Sequence, residues 1–145
     1  MSDAEHTFTG RCHCGAVTAE LKFTRPAEEM QVRSCQCEFC IRHGSLTASD
    51  PAGHAIFQIE AGALQPYRFG TNTAMAIICR HCGAYAGIAY TDGGRTWSAA
   101  NMRGLGVEEF KERVGVQMFY EDETPTERVE RRKQKWTPTE VRFKL

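Results

Sequence analysis

Apolar and polar residues alternate along much of this chain, with the two-residue period of a β-strand. From Ala16 to Phe23, Val17, Ala19, Leu21 and Phe23 fall on one face, and Thr18, Glu20 and Lys22 on the other. Successive strand side chains point to opposite faces, so this segment is a strand with one face buried. Arg25-Pro26 ends it, and a second strand is predicted from Met30 to Ser34. Ile56 to Glu60 and Tyr67 to Phe69 read as strands around Ala61-Gly62. Ala74 to Cys79 is an apolar run entering a Cys-x-x-Cys-Gly turn, and Ala84 to Thr91 is its predicted hairpin partner. Asp92-Gly93-Gly94 signals a further tight turn, and Trp97 to Met102 follows as a strand. Many short strands with frequent turns favour an all-β, mainly antiparallel domain.

The tail breaks this pattern. Thr124-Pro125-Thr126-Glu127 combines an N-cap, a proline at the first helical position and a capping-box glutamate. It predicts a short C-terminal helix ending near Lys135. The charges of this helix (Glu127, Arg128, Glu130, Arg131, Arg132, Lys133, Lys135) are mixed in sign and read as a solvated face.

Length and composition narrow the class. With 145 residues the chain has the size of one domain, and a domain of this size buries about 70% of its unfolded surface. Metal therefore need not be its only source of stability. Eighteen basic residues balance eighteen acidic ones, which argues against a nucleic-acid binder. Trp97 and Trp136, far apart in sequence, read as packing residues and not as a stacking platform. No run resembles the roughly 20 apolar residues of a membrane span. Met1 to Thr9 is polar and lacks the basic and apolar regions of a signal peptide, so the expected location is the cytoplasm. Seven cysteines cannot all pair internally, and a reducing compartment disfavours disulfides, so clustered cysteines point to metal.

Three clusters carry that chemistry: Cys12-His13-Cys14-Gly15, Cys35-Gln36-Cys37-Glu38-Phe39-Cys40 and Cys79-Arg80-His81-Cys82-Gly83. In Cys-x-Cys on an extended segment both sulfurs project to one face. In Cys-x-x-Cys a tight turn brings two sulfurs within about 2.3 Å of a zinc ion. Cys12, Cys14, Cys79 and Cys82 together supply the four thiolates of a closed structural zinc site. Spacing alone also allows Cys12 and Cys14 to join the central cluster. Cys35, Cys37 and Cys40 offer three ligands, the number found in catalytic zinc sites with one open position. His43, three residues after Cys40, has acceptable spacing to close that site as a fourth ligand. Two zinc ions per chain use all seven cysteines. Phe39, inside the central cluster, is placed to shield the metal.

The order Cys-x-Cys-Gly, Cys-x-Cys-x-x-Cys, Cys-x-x-Cys-Gly resembles the glutathione-dependent formaldehyde-activating enzyme family, which includes centromere protein V. The likeness extends to Gly10 through Val17, Gly44-Ser45, Gly62-x-Leu64-x-x-Tyr67 and Ala100-Asn101-Met102-Arg103. It spans a domain over about residues 8–120 and leaves residues 121–145 as a charged C-terminal extension. The resemblance implies a β-tent-like zinc fold, a structural zinc on Cys12, Cys14, Cys79 and Cys82, and a second zinc on Cys35, Cys37 and Cys40. It further implies a small-molecule thiol partner, glutathione. The activity implied is a carbon–sulfur lyase that joins glutathione and formaldehyde to S-hydroxymethylglutathione. Addition of a thiolate to formaldehyde develops an alkoxide that needs a donor, and Arg42, His43 and Ser45 are near enough in sequence to be candidates. Asn101 is either a pocket residue or a strand asparagine satisfied by backbone. The chain departs from the family pattern at His43, where many members carry a small or hydroxyl residue.

Two further readings compete with the enzyme. One is a zinc-stabilised binding module without chemistry, favoured if His43 closes the central site. The other is redox sensing by Cys35, Cys37 and Cys40 without metal.

Overall fold

The structure, a computed structural model, describes residues 5–144. Eleven strands make one sheet: β1 (His6–Arg11), β2 (Val17–Phe23), β3 (Arg33–Cys35), β4 (Thr47–Ala48), β5 (His54–Glu60), β6 (Leu64–Tyr67), β7 (Met75–Cys79), β8 (Tyr85–Asp92), β9 (Arg95–Asn101), β10 (Val116–Met118) and β11 (Thr137–Lys144). Two helices interrupt them, α1 (Glu38–Arg42) and α2 (Pro125–Lys135). The pairing is antiparallel except for β10 on β3 and β11 on β5. The fold is thus all-β and mainly antiparallel, with a short helix near the C-terminus, as the alternation and the capping box predict.

The alternation of β2 works as expected. Val17, Ala19, Leu21 and Phe23 are all buried, between β1 on one side and β5 on the other. They join Phe57, Ile59, Ile77, Leu105 and Phe110 in the main core. β7 and β8 form the predicted hairpin around the Cys79–Cys82 turn. Gly93-Gly94 closes the next one, with Asp92 opposite Arg95. β6 begins before the predicted Tyr67 to Phe69 segment and contains Pro66. It pairs only with β7, and an edge strand tolerates a residue that cannot donate to the ladder.

β9 is the branch point of the sheet. One side of it runs along β8. Its other side is shared, with β11 beside Thr96 to Ser98 and β4 beside Ala100 and Asn101. The predicted helix is α2, with Thr124 and Glu127 making both bonds of the capping box at 3.1 and 2.9 Å. After it, β11 enters between β5 and β9. Trp136, at the joint, packs with Ala74, Trp97 and Ala99 in a second apolar cluster.

Asp50 holds this joint to the rest of the sheet. Its carboxylate accepts from the amide and hydroxyl of Thr24, both at 2.7 Å, and from the Ala52 amide at 2.9 Å. Its own amide donates to the Thr137 hydroxyl at 2.8 Å. Burial raises the Asp50 carboxyl, but the bonds from Thr24 and Ala52 outweigh burial and leave it below the usual carboxylate range. A group with a depressed folded pKa contributes fully above its unfolded value, about 3.9 for Asp, and loses that contribution as pH falls through the folded value. Asp50→Asn is expected to cost about 1–3 kcal/mol at pH 7. The gap from wild type in urea unfolding should narrow below about pH 4 as the wild-type carboxyl protonates.

Candidate metal centres

The first centre joins two turns distant in sequence. Cys12 follows the end of β1, and Cys79 ends β7; both are buried, while Cys14 is exposed and Cys82 half-buried. The four sulfurs lie within 4.8 Å of one another, with Cys12 to Cys14 at 3.8 Å and Cys14 to Cys79 at 3.6 Å. A tetrahedron of thiolates about 2.3 Å from zinc has edges of about 3.8 Å, so the donor set fits that ion. Gly15 and Gly83 take φ of +87° and +79°, a left-handed turn that glycine enters without a Cβ clash. The structure therefore selects between the alternatives that spacing allowed: Cys12 and Cys14 go with Cys79 and Cys82, not with the central cluster. Burial pushes the Cys79 thiol up to about 12. At Cys82, burial is outweighed by the amides of Cys14 and Ala84 and by the neighbouring thiols, and the pKa falls to about 6.

The second centre is local. Cys35 ends β3, Cys37 caps the N-terminus of α1 and Cys40 is buried within it. Their three sulfurs also lie within 4.8 Å of one another, and no fourth His, Cys, Asp or Glu among the described residues joins the group. The neighbouring thiols of Cys35 and Cys40 hold Cys37 far below an ordinary thiol, and the same contacts push Cys40 up. This is the pattern of three thiols sharing protons.

The sequence candidates near this cluster take different places. Arg42 is exposed and pairs with Glu38 one helical turn earlier. His43 caps the C-terminus of α1, its ring 4.3 Å from that of Phe39 and 5.6 Å from that of Tyr85. It is outside the sulfur group. The Ser45 hydroxyl is buried without a hydrogen-bond partner, and its proximity lowers the Cys40 thiol against the larger upward push of Cys35 and Cys37. Asn101 is satisfied by backbone, accepting from the Leu46 amide at 2.8 Å and donating to the Tyr85 carbonyl at 2.9 Å. Gly104 presses on the same carbonyl so closely that a Cβ would stand 1.9 Å from the oxygen. Asn101 and Gly104 therefore fix Tyr85. Phe39 stacks with Phe69 at 4.4 Å and meets Tyr85 edge-on at 5.0 Å.

The three sulfurs open into a cavity of about 360 Å³. Arg33, Tyr85, Tyr120 and Trp136 line it, together with Arg128, Arg131 and Arg132 of α2. The expectation of a solvated α2 face holds for Glu127, Glu130, Lys133 and Lys135, which are exposed, and is corrected for Arg128, Arg131 and Arg132, which line the cavity of the thiol cluster. Burial lowers the guanidinium pKa of both Arg33 and Arg132, the latter to about 10, with Arg131 and Arg128 adding to the effect at Arg132. Tyr85 is buried, and burial with the nearby cysteines raises its hydroxyl well above the usual range. Sequence reasoning missed Tyr85 and Arg33. Arg33 was within reach, because it is two residues before Cys35 on a strand and shares its face. A wider cavity of about 640 Å³ runs along β1, β2 and β5 past Cys12. Its cysteine belongs to the four-thiol set, whereas the smaller cavity is lined by all three thiols of the second group.

The family model described as glutathione-dependent formaldehyde-activating enzyme matches residues 7–123. The chain belongs to that family. Membership supports an activity related to glutathione and formaldehyde, with glutathione, a small thiol, as the partner. The crystal structure of a Rhodobacter sphaeroides protein is similar, with a TM-score of 0.59 and 29% identity over 76% of this chain and 99% of that one. α2 and β11 lie beyond the residues that the family model matches. Among the described residues no helix is long and apolar enough to cross a membrane.

The two centres should separate by mutation. Metal analysis is expected to find two zinc ions per chain. Cys37→Ala should lose one and keep its thermal transition within a few degrees. Cys79→Ala should lose the other and fall by about 10 °C, the equivalent of about 3–4 kcal/mol.

Proposed function

We propose that this protein makes and breaks the carbon–sulfur bond between glutathione and formaldehyde, with S-hydroxymethylglutathione as the adduct. The observation that carries the reading is the set of three thiols, with no fourth His, Cys, Asp or Glu beside them among the described residues, lining a cavity. Structural zinc sites are completed by four protein ligands, whereas three with an open position is the arrangement of catalytic ones. A zinc ion on Cys35, Cys37 and Cys40 supplies, when bound, the Lewis acid that lets a thiol give up its proton at neutral pH. The other four cysteines hold a structural zinc that ties the end of β1 to the β7–β8 turn. The cytoplasm, where thiols stay reduced, suits both sites.

The chain's own residues supply position and protons. As the sulfur electron pair forms the bond to carbon, the carbonyl π pair moves to oxygen, which must take a proton. Tyr85 is the donor in this reading. It lines the cavity, and burial with the nearby cysteines raises its hydroxyl well above the usual range, so it stays protonated. The proton released by the thiol returns to the tyrosine through solvent. One S–H bond and the π bond of one C=O thus become one S–C and one O–H bond, the C–O single bond remaining, and the reverse sequence releases formaldehyde. Arg42, exposed and paired with Glu38, has no part in these steps. The Ser45 hydroxyl is buried without a hydrogen-bond partner, and His43 packs on Phe39.

Exchange spectroscopy on ¹³C-formaldehyde and glutathione at equilibrium reads the adduct's formation and breakdown directly. Wild type is expected to exceed the uncatalysed rate, Cys37→Ala to abolish the excess, and Tyr85→Phe to reduce it about 10²-fold, the usual size of a general-acid contribution. A wild-type rate equal to the uncatalysed one would replace the enzyme by a zinc-stabilised binding module.

A further inference from the structure

The three arginines of α2 that line the cavity divide into two that are answered by a carboxylate and one that is not. Arg128 and Arg131 both pair with Glu123, at 3.3 and 2.7 Å, and Lys133 pairs with Asp92 at 2.7 Å. Arg132 has no acidic partner among the described residues. It is 6% exposed, donates to the neutral Thr73 hydroxyl, and lies 5.0 Å over the Trp136 ring. Its Nε is buried with no partner at all. Arg33 of the same cavity is in a similar position, donating to the Ser49 hydroxyl at 2.6 Å and pairing with no carboxylate among the described residues.

A guanidinium taken out of water without a counter-ion is costly. The cysteines answer part of that charge. The cavity has four arginines against Glu121 and Glu123, an excess of two positive charges, and a zinc ion with three thiolates would offset one. The remainder calls for an anion from outside the chain. The planar fork of arginine takes a carboxylate in a bidentate pair, and a carboxylate is the anion that glutathione carries.

We infer that Arg132, with Arg33 in the same cavity, binds a carboxylate of the thiol substrate, and that α2 is the element by which this chain selects anionic thiols. The inference rests on the reading of the three-thiol centre as a thiol site. It goes beyond the family likeness, because the family model stops at residue 123 and Arg132 lies after it. In this arrangement the cavity reads two features of one molecule, sulfur at the floor and carboxylate at the wall. A neutral thiol satisfies only the first.

The test compares glutathione with its dimethyl ester, in which both carboxylates are capped. Binding is followed by calorimetry on the zinc protein and by the sulfur-to-metal charge-transfer band of cobalt-substituted protein. In wild type the ester is expected to bind about tenfold more weakly or worse, a difference of about 1.4 kcal/mol. Arg132→Gln should weaken glutathione by the same factor and leave the ester within about twofold, while Arg132→Lys recovers part of the loss. Equal binding of the two thiols by wild type would overturn the inference, as would equal weakening of both by Arg132→Gln. If that variant does not fold, Arg33→Gln is measured in the same way. If no thiol changes the cobalt band, the thiol-site reading itself fails. S-methylglutathione, which keeps its carboxylates and has no free thiol, then decides the anion site. Calorimetric heat that depends on Arg132 sustains it, and heat that does not depend on Arg132, or no heat, overturns it.

Discussion

Thiols packed within 4.8 Å of one another cannot all ionise unless a cation stands among them. Without one, they keep their mutual repulsion low by holding protons, and the pKa pattern records this. Cys37 is driven down while Cys35 and Cys40 are driven up. In the other group Cys82 falls to about 6 while Cys79 rises to about 12. A zinc ion removes that conflict for each group. The two groups then differ in what remains. Four sulfurs would complete a tetrahedron about one ion and leave no position for a further ligand. Three would leave one position free, and the same three sulfurs line a cavity.

What makes the cavity more than a cleft is the C-terminal segment. β11 enters the sheet between β5 and β9, and its first residue, Thr137, is tied to the Asp50 amide. The carbonyl of Lys135, the last residue of α2, accepts from the Ser49 hydroxyl at 2.8 Å. Trp136 packs into the second apolar cluster. These contacts fix the end of α2, and helical spacing then carries Arg128, Arg131 and Arg132 to the cavity wall. Packing energetics at one end of the helix thereby sets the electrostatics of the thiol site.

Most of the frame was legible in the sequence because it depends on local rules. The alternation of Val17, Ala19, Leu21 and Phe23 gave β2, and the capping box of Thr124 and Glu127 gave α2 with its bounds. The cysteine spacings fixed which thiols could share an ion, but not whether Cys12 and Cys14 turn toward Cys79 or toward Cys35; that depends on strand pairing across the sheet. β1 was not read because only Phe8 among its residues is buried. β11 was missed despite a period-two run of Thr137, Thr139, Val141 and Phe143, since the mixed charges before it suggested a solvated tail. Tyr85 and Arg132 gave no local signal. Their roles come from burial and from the wall they share, and neither is encoded within a few residues.

The central claim is that the second zinc keeps an open position facing the arginine-lined cavity. Zinc K-edge X-ray absorption on the protein with both sites filled, before any thiol is added, tests it most directly. Seven thiolates over two ions predict a mean of about three and a half sulfurs per zinc, with the balance from a light oxygen scatterer and no imidazole signature. Imidazole multiple scattering would mean that His43 moves in to close the site, and the account of an open, thiol-accepting centre would be wrong.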